Sequence, residues 1–297
     1  MPWFPLALTT ACLTAIQDLL GKKSLQSLDA AVVTGLLGGI SALVLGGLLW
    51  AVGMPPLQPG FWWILLANGS LNTLGFWTYN RALQLGDLSL TAPIVAFSPL
   101  FFFLTSPLIV GEYPTSTDFV GSVLVVLGSY GLNWQQRHQG YWAPFKALWT
   151  QRGSRLMLGV ALIWSVTANL DKVGVLHSSP LCWVFAVYSF VTLGMGVTIA
   201  LQGNWASHWE QLRPGGRNNQ GRSPWVYLLP MGICSALAVA LQMYALTLTL
   251  VVRVIAVKRL STLMGVVLGV VFLQEQGLRH RLLGAGLMVA GVAVLLH

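Results

Sequence analysis

The chain has 297 residues, of which 8% are charged and 55% are hydrophobic, and its formal net charge is +8. Soluble domains carry about 25% charged residues, so this composition excludes an ordinary water-soluble globular protein. Most of the basic residues lie between apolar segments, which indicates topology signals on loops and argues against a nucleic-acid surface.

Ten apolar segments follow one another along the chain. A helix of about 17–25 apolar residues crosses a hydrocarbon core of about 30 Å. The predicted helices span residues 3–21, 29–52, 61–83, 88–110, 117–134, 155–175, 180–202, 224–247, 251–273 and 280–296. The sequence therefore predicts an all-α integral membrane protein with ten transmembrane helices.

The second half of the sequence repeats features of the first. A shift of 150 residues places Lys22 on Lys172, and a shift of 163 places Glu112 on Glu275. The two shifts differ by 13 residues, which is also the excess length of the connection between the seventh and eighth helices over the corresponding connection in the first half. One loop insertion explains both observations.

Five helices in each half make the second repeat enter the membrane inverted, because five is an odd number. Inverted repeats are typical of secondary transporters. We therefore predict one five-helix repeat at residues 1–134 and a second at 155–297, with an interfacial linker at 135–154 between them.

Basic residues are distributed unequally between the two sides of this topology. Lys172 and Arg253 lie on the side of the two termini. The opposite side carries Lys22, Lys23, Arg81, Arg137, Lys146, Arg152, Arg155, Arg213, Arg217, Arg222, Arg279 and Arg281. Because basic loops favour the cytoplasm, we expect a multi-pass protein of the cell inner membrane with both termini outside the cytoplasm.

Two adjacent cations, Lys258 and Arg259, lie about eight residues inside the predicted ninth helix. A charge at the membrane centre costs at least ~2.5 kcal/mol. Lys258 shares a helical face with the small and polar residues Ser261, Thr262 and Gly265. Two interpretations stay open: the pair contacts the negative group of a substrate, or it reaches the interface or pairs with a carboxylate on another helix.

Charged and polar residues also cluster at the ends of the first and sixth predicted helices. Asp18 and Lys22 lie at one end, and Asn169, Asp171 and Lys172 at the other. The inverted topology places the two clusters at opposite ends of the membrane. The charged residues are candidates for gating or proton coupling, and Asn169 for substrate contact. The alternative is that the charges anchor helix ends at the lipid headgroups.

Polar residues inside two further helices complete the set of candidates for substrate binding. Asn68, Asn72 and Tyr79 lie on one stripe of the third helix, and Gln242 lies in the eighth. Trp164 adds an aromatic surface from the sixth helix. A substrate-lining stripe and ordinary interhelical hydrogen bonds both explain this pattern.

Motifs of enzymes are not visible in the sequence. The five histidines are scattered, the three cysteines lie unpaired in apolar segments, and neither a nucleophile elbow nor a P-loop occurs. We therefore expect no enzyme activity, no cofactor and no metal. The expected partners are a small-molecule substrate and the lipid bilayer but no nucleic acid, and a homodimer is left open.

Short motifs recur in the same order in both halves. The first half carries Tyr79-Asn80-Arg81-Ala82-Leu83, Pro93, Ser98-Pro99, Gly111-Glu112, Gly121 and Gly128, and the second carries Tyr244-Ala245-Leu246, Ser261, Gln274-Glu275, Gly284 and Gly291. This double set resembles the EamA repeat of the drug/metabolite transporter superfamily. The resemblance implies a ten-helix carrier with a central cavity, which exports or exchanges amino acids, other metabolites or drugs along a gradient.

The sequence departs from the family pattern at two places. Thr262 stands where Pro99 would map, and Lys258 and Arg259 occupy a position that is often uncharged in the family. These departures favour an anionic or zwitterionic cargo. The leading hypothesis is a metabolite exporter that works by alternating access. The rivals are a lipid-linked sugar flippase on the same scaffold and a non-transporting membrane scaffold.

Overall fold

The computed structural model describes residues 1–25, 28–85, 94–95, 97–132, 152–201, 203, 223–265 and 278–296. These residues form ten helices and no strand, so the predicted all-α class is confirmed for them. Residues 135–151 of the predicted linker at 135–154 lie outside the described residues.

The helices follow the predicted order. They are α1 (Trp3–Ser24), α2 (Ala30–Val52), α3 (Phe61–Leu85), α4 (Ser98–Ile109), α5 (Ser116–Leu132), α6 (Arg152–Leu176), α7 (Pro180–Leu201), α8 (Trp225–Leu246), α9 (Val251–Lys258) and α10 (Leu278–Leu295). Five of the described helices, α1, α2, α6, α7 and α8, are long and apolar enough to cross a membrane.

Polar side chains set several helix ends. Asp29 accepts a hydrogen bond from the amide of Ala31 at 2.8 Å and so caps the start of α2. Gly53 ends this helix with a φ of 96°, a conformation that favours glycine. Before α5, Thr115 donates its amide N–H to Asp118 at 2.8 Å, and the Asp118 amide donates back to the Thr115 hydroxyl at 3.3 Å.

Helices of the first half pack mainly against helices of the second half. The pairs with the most extensive packing are α1 with α8, α2 with α7, α3 with α6, and α5 with α10. Smaller contacts join α4 to α6 and α1 to α9. The set of packed pairs stays the same when each helix of the first half is exchanged with its counterpart in the second, α1 with α6 and so on to α5 with α10. The pair α1–α8, for example, becomes α6–α3, which is also in the set.

Glycines allow the closest of these helix contacts. A Cβ atom at Gly128 of α5 would stand 2.6 Å from the carbonyl oxygen of Gly284 in α10, and one at Gly291 would stand 2.7 Å from that of Gly121. The absence of a side chain at these positions therefore lets α5 and α10 approach closely.

Replacement of Gly128 by leucine should separate α5 from α10, because the new side chain overlaps backbone atoms that cannot move aside. Overpacking of this kind costs about 1–3 kcal/mol. We expect a lower unfolding temperature in detergent. The matched control is Gly286→Leu on α10, where an added Cβ would meet no atom within 4 Å. Equal stability of the two variants would contradict the packing role.

Candidate functional site

Polar side chains are buried in the middle of the helix bundle, where a membrane protein of this kind is expected to be apolar. They come from α3, α4, α6, α8 and the segment after α9. The fully or almost fully buried members are Asn68, Ser98, Thr105, Ser106, Asn169, Asp171, Gln242 and Ser261. Buried polar groups are costly unless they are hydrogen-bonded, so their partners define the site.

Lys258 is held at the end of α9 by the neighbouring helix α8. Its Nζ donates a hydrogen bond to Oε1 of Gln242 at 2.7 Å, and Gln242 is buried. The residues on both sides of the cation pair, Val257 and Leu260, are buried as well, whereas Lys258 itself keeps partial exposure. Lys258 therefore lies in a partly open position within the bundle, which we call the recess.

Arg259 lies where the helix is locally interrupted. Residue 259 is a turn between α9 and further helical residues at 260–265, and its amide is shared between the carbonyls of Ile255 and Ala256. Its guanidinium Nη2 donates to Oγ of Ser98 on α4. Its Nε is buried and has no hydrogen-bond partner among the described residues.

Two carboxylates interact with these cations over a distance. Asp18 on α1 interacts electrostatically with Lys258 and Arg259, and Asp171 on α6 interacts with Lys258. Among the described residues, neither carboxylate forms an ion pair within 4 Å of either cation. Asp18 is exposed, whereas Asp171 is only 9% exposed. Because α1 packs on α9, Asp18 and the two cations lie on neighbouring helices.

Asp171 is the centre of a buried hydrogen-bond network. Its Oδ1 accepts hydrogen bonds from Nδ2 of Asn68 at 2.6 Å and from Nε1 of Trp183 at 2.9 Å. Asn72, one turn further along α3, donates to Oδ1 of Asn68 at 3.0 Å. Gly174 makes room for the tryptophan, because a Cβ atom there would overlap the ring. Asn68 thus forms an interhelical hydrogen bond. Such bonds are one of the two interpretations that the sequence offers for the polar stripe of α3.

Asn169 forms a second buried network with α4. Its Nδ2 donates to the Thr105 hydroxyl at 3.0 Å and to the Ser165 carbonyl at 2.8 Å. The Ser106 hydroxyl donates to its Oδ1 at 2.8 Å. Asn169 is fully buried, so in this conformation its amide joins α4 to α6 and faces no open space.

An aromatic wall borders the charged recess. The rings of Tyr79 and Trp164 lie 5.3 Å apart at an angle of 32°, and Phe76 contacts the edge of the same tryptophan. Tyr79 interacts electrostatically with both Asp18 and Arg259. The predicted neighbourhood of Tyr79 and Trp164 is therefore present beside the cations.

Lys172 is engaged at one end of the bundle. Its Nζ contacts Oε1 of Glu112 and donates to the carbonyl of Thr249 at 2.6 Å. The other oxygen of Glu112 accepts from the amide of Val251 at 2.9 Å, so this carboxylate caps α9. Lys172 and Asp171 thus have protein partners, which differs from the alternative of headgroup anchoring. The side chain of Lys22 lies outside the described residues.

The structure brings together most of the residues that the sequence singled out. Lys258 donates a hydrogen bond to Gln242, and the adjacent Arg259 interacts electrostatically with Tyr79. Asn72 donates to Asn68, which in turn donates to Asp171. Ser261 lies one turn beyond Lys258 and is 9% exposed. Their role in substrate binding stays a prediction.

Several side-chain partners were not expected from the sequence. Ser98 bonds to Arg259, Thr105 and Ser106 bond to Asn169, and Trp183 bonds to Asp171. The hydroxyl residues lie in an apolar segment where serine and threonine are common, and Trp183 is one of 13 tryptophans. Only the packing of α4 and α7 against α6 and α9 distinguishes them.

A separate groove of about 440 Å³ lies between α3 and α7 and opens sideways. Thr73 and Thr198 line it, but their hydroxyls donate to carbonyls of their own helices, those of Gly69 and Gly194. Ser70 and Trp77 add polar atoms to a lining whose surface is mainly apolar.

The fold and the polar recess define a polytopic α-helical membrane protein of the transporter class. The family model of the EamA-like transporter family matches residues 1–134 and 151–297. The chain belongs to this family, which is part of the drug/metabolite transporter superfamily, and the resemblance noted from the motifs is confirmed. Members of this family are transporters and not enzymes.

Comparison with solved structures supports the same fold. One crystal structure of a protein is similar over 99% of this chain and 97% of its own length, with a TM-score of 0.76 and 16% sequence identity. At this identity the similarity shows the fold alone. No curated protein matches the sequence at a significant level.

Proposed function

We propose that the protein is a secondary transporter that carries a small anionic or zwitterionic metabolite, such as an amino-acid-like compound, out of the cell. Lys258 and Arg259 bind the negative group of this cargo. Tyr79, Trp164, Asn72, Asn169, Gln242 and Ser261 line the rest of its path.

The single observation that carries this proposal is a pair of cations in the bundle without a carboxylate in contact. Among the described residues, Lys258 and Arg259 bond only to the neutral side chains of Gln242 and Ser98. Charges within transmembrane segments are rare and mark substrate or ion pathways. A cargo carboxylate or phosphate would supply the counter-charge that Gln242 and Ser98 lack.

The surrounding carboxylates favour a cargo that also carries a positive group. Asp18 and Asp171 interact electrostatically with Lys258 from α1 and α6. The aromatic pair of Tyr79 and Trp164 adds an apolar surface beside them. Opposite charges around one recess suit a zwitterion better than a simple anion, because each charged end of the cargo then has a partner.

We further propose that the halves are inverted repeats that rock to give alternating access. The pairing of the helices supports this arrangement, since exchange of the halves preserves the set of packed pairs. Rocking of two repeats around a fixed site is the usual mechanism of such transporters.

The orientation with both termini outside the cytoplasm belongs to the same proposal. Only Lys172 and Arg253 lie on the side of the termini, and both are committed to ion pairs with Glu112 and Asp118. The larger number of basic residues that the sequence places on the other side favours the cytoplasmic location of that side.

Ligand-dependent stabilisation of the purified protein tests the proposed cargo class. We expect zwitterionic or anionic metabolites of a panel to raise the unfolding temperature, because a ligand that binds only the native state stabilises it. The same compounds should enter liposomes that contain the protein, faster with a pH gradient than without one.

Matched compounds sharpen this experiment. An amide or ester of each active compound lacks the negative group and should give neither stabilisation nor uptake. Stabilisation by these derivatives alone would exclude the proposed role of the cations.

A further inference from the structure

Two ion pairs join the halves of the chain at one end of the bundle. Lys172 contacts Glu112, and Nε of Arg253 donates to Oδ1 of Asp118 at 2.6 Å. Both carboxylates precede or begin α5, in the first half, and both cations come from the second half. We call Glu112, Asp118, Lys172 and Arg253 the terminal ion-pair cluster.

This cluster lies at the end of the bundle where the chain begins and ends. Thr10, seven residues after the start of α1, donates to the carbonyl of Ala238, eight residues before the end of α8, so the start of α1 and the end of α8 lie on the same side. Gly121, near the start of α5, lies against Leu295 at the end of α10. We call this end the terminal face.

The contacts of the cluster include the backbone of the segment that leads to Lys258. Lys172 holds the carbonyl of Thr249, and Glu112 holds the amide of Val251, the first residue of α9. The start of α9 is therefore tied to the α4–α5 connection and to α6. Lys258 is seven residues further along this helix, about 10 Å below the cluster at a rise of 1.5 Å per residue.

The pairs are largely enclosed. Asp118 has no exposed side-chain surface, and Glu112, Lys172 and Arg253 are 11%, 14% and 23% exposed. Exposed ion pairs contribute little, whereas the loss of one partner from an enclosed pair leaves an uncompensated charge.

The polar residues near the cations differ in exposure between the two ends of the bundle. Asp18, near the end of α1 that lies away from the terminal face, is exposed. Asp171, next to Lys172, is 9% exposed, and Asn169 is fully buried. The polar groups between the cations and the terminal face are thus covered, and the cluster lies above them.

We infer that the terminal ion-pair cluster is the gate that closes the central site toward the terminal face and must dissociate before the site opens there. This inference rests on the proposed alternating-access function and assigns gate residues to it. It extends the predicted gating role of Lys172 to Glu112, Asp118 and Arg253.

A reporter cysteine below the gate tests the inference. Ser261→Cys is introduced with Cys12, Cys182 and Cys234 replaced by alanine. A membrane-impermeant maleimide is then applied to vesicles in which accessibility of an N-terminal tag reports the orientation of the protein. With the cluster intact we expect slow labelling from the terminal face.

Removal of either cation should open this face. Lys172→Gln and Arg253→Gln should raise the labelling rate from the terminal face at least about tenfold, which corresponds to 1.4 kcal/mol in the gate equilibrium. Arg253→Lys retains the charge and should stay near the parent rate. Lys23→Gln removes a cation at the opposite end, where Lys23 lies over the Tyr227 ring, and should have no effect.

Unchanged labelling in both folded variants would overturn the inference, and so would an equal rise in Lys23→Gln, which would indicate general loosening. If the cation variants do not fold, Glu112→Gln gives the decision, because its amide oxygen can still accept from Val251 and only the charge is lost. The labelling needs no cargo. A labelling contrast without any transport would therefore retain the gate and reject the transport function.

Discussion

Replacement of Lys258 by alanine should abolish transport while the protein is still produced and folded. The variant removes the ammonium group of the recess and leaves a smaller side chain among Gln242 and the neighbours on α9. Loss of the charge removes its desolvation cost, which offsets part of the cost of about 1–3 kcal/mol for leaving the Gln242 oxygen without its donor, so we expect the variant to fold. Uptake into liposomes and the cargo-dependent thermal shift are the measurements.

Two further variants make this result interpretable. Arg155→Ala removes an exposed cation at the start of α6 and should leave transport unchanged. Lys258→Arg keeps the charge but changes its geometry, so it should retain weak cargo binding with reduced transport. Full transport by Lys258→Ala would remove this residue from the mechanism.

Replacement of Asp171 by alanine should affect folding as well as transport. The variant leaves the N–H groups of Asn68 and Trp183 without their acceptor. Each buried donor without a partner costs about 1–3 kcal/mol. We therefore expect the unfolding temperature in detergent to fall by more than about 2 °C.

Asp171→Asn separates the structural role of this residue from a role of its charge. The asparagine oxygen can accept from both Asn68 and Trp183, so stability should stay close to that of the parent protein. If Asp171 takes part in proton coupling, uptake driven by a pH gradient should still fall in this variant. Normal gradient-driven uptake by Asp171→Asn would restrict Asp171 to a structural role.

The helices and their order could be predicted because the membrane imposes a simple rule on the sequence. Apolar runs such as 30–52 must satisfy every backbone group within the helix, and α2 indeed spans Ala30–Val52. The start of α6 at Arg152, three residues before the predicted one, shows the usual error at helix ends. The predicted ends at residues 88 and 273 lie outside the described residues.

The candidate site could be predicted only in part. Lys258 and Arg259 stood out because a charge inside an apolar segment is costly. Asp18 and Asp171 stood out because they belong to polar clusters at the ends of the first and sixth predicted helices. The partners Ser98 and Trp183 belong to distant segments, and no local pattern relates them to Arg259 or Asp171. Glu112 caps α9, whose first residue lies 139 positions further along the chain, so this contact also depends on tertiary structure.

The sequence by itself determined the membrane class, the ten helices and the positions of the charges, because the energy of a residue in hydrocarbon depends chiefly on its own polarity. Among the described residues, tertiary structure decided which charges form ion pairs and which bond to neutral side chains. Lys172 and Arg253 meet carboxylates, whereas Lys258 and Arg259 meet neutral side chains. These differences arise from the packing of one half against the other, which depends on distances between residues that are far apart in the chain.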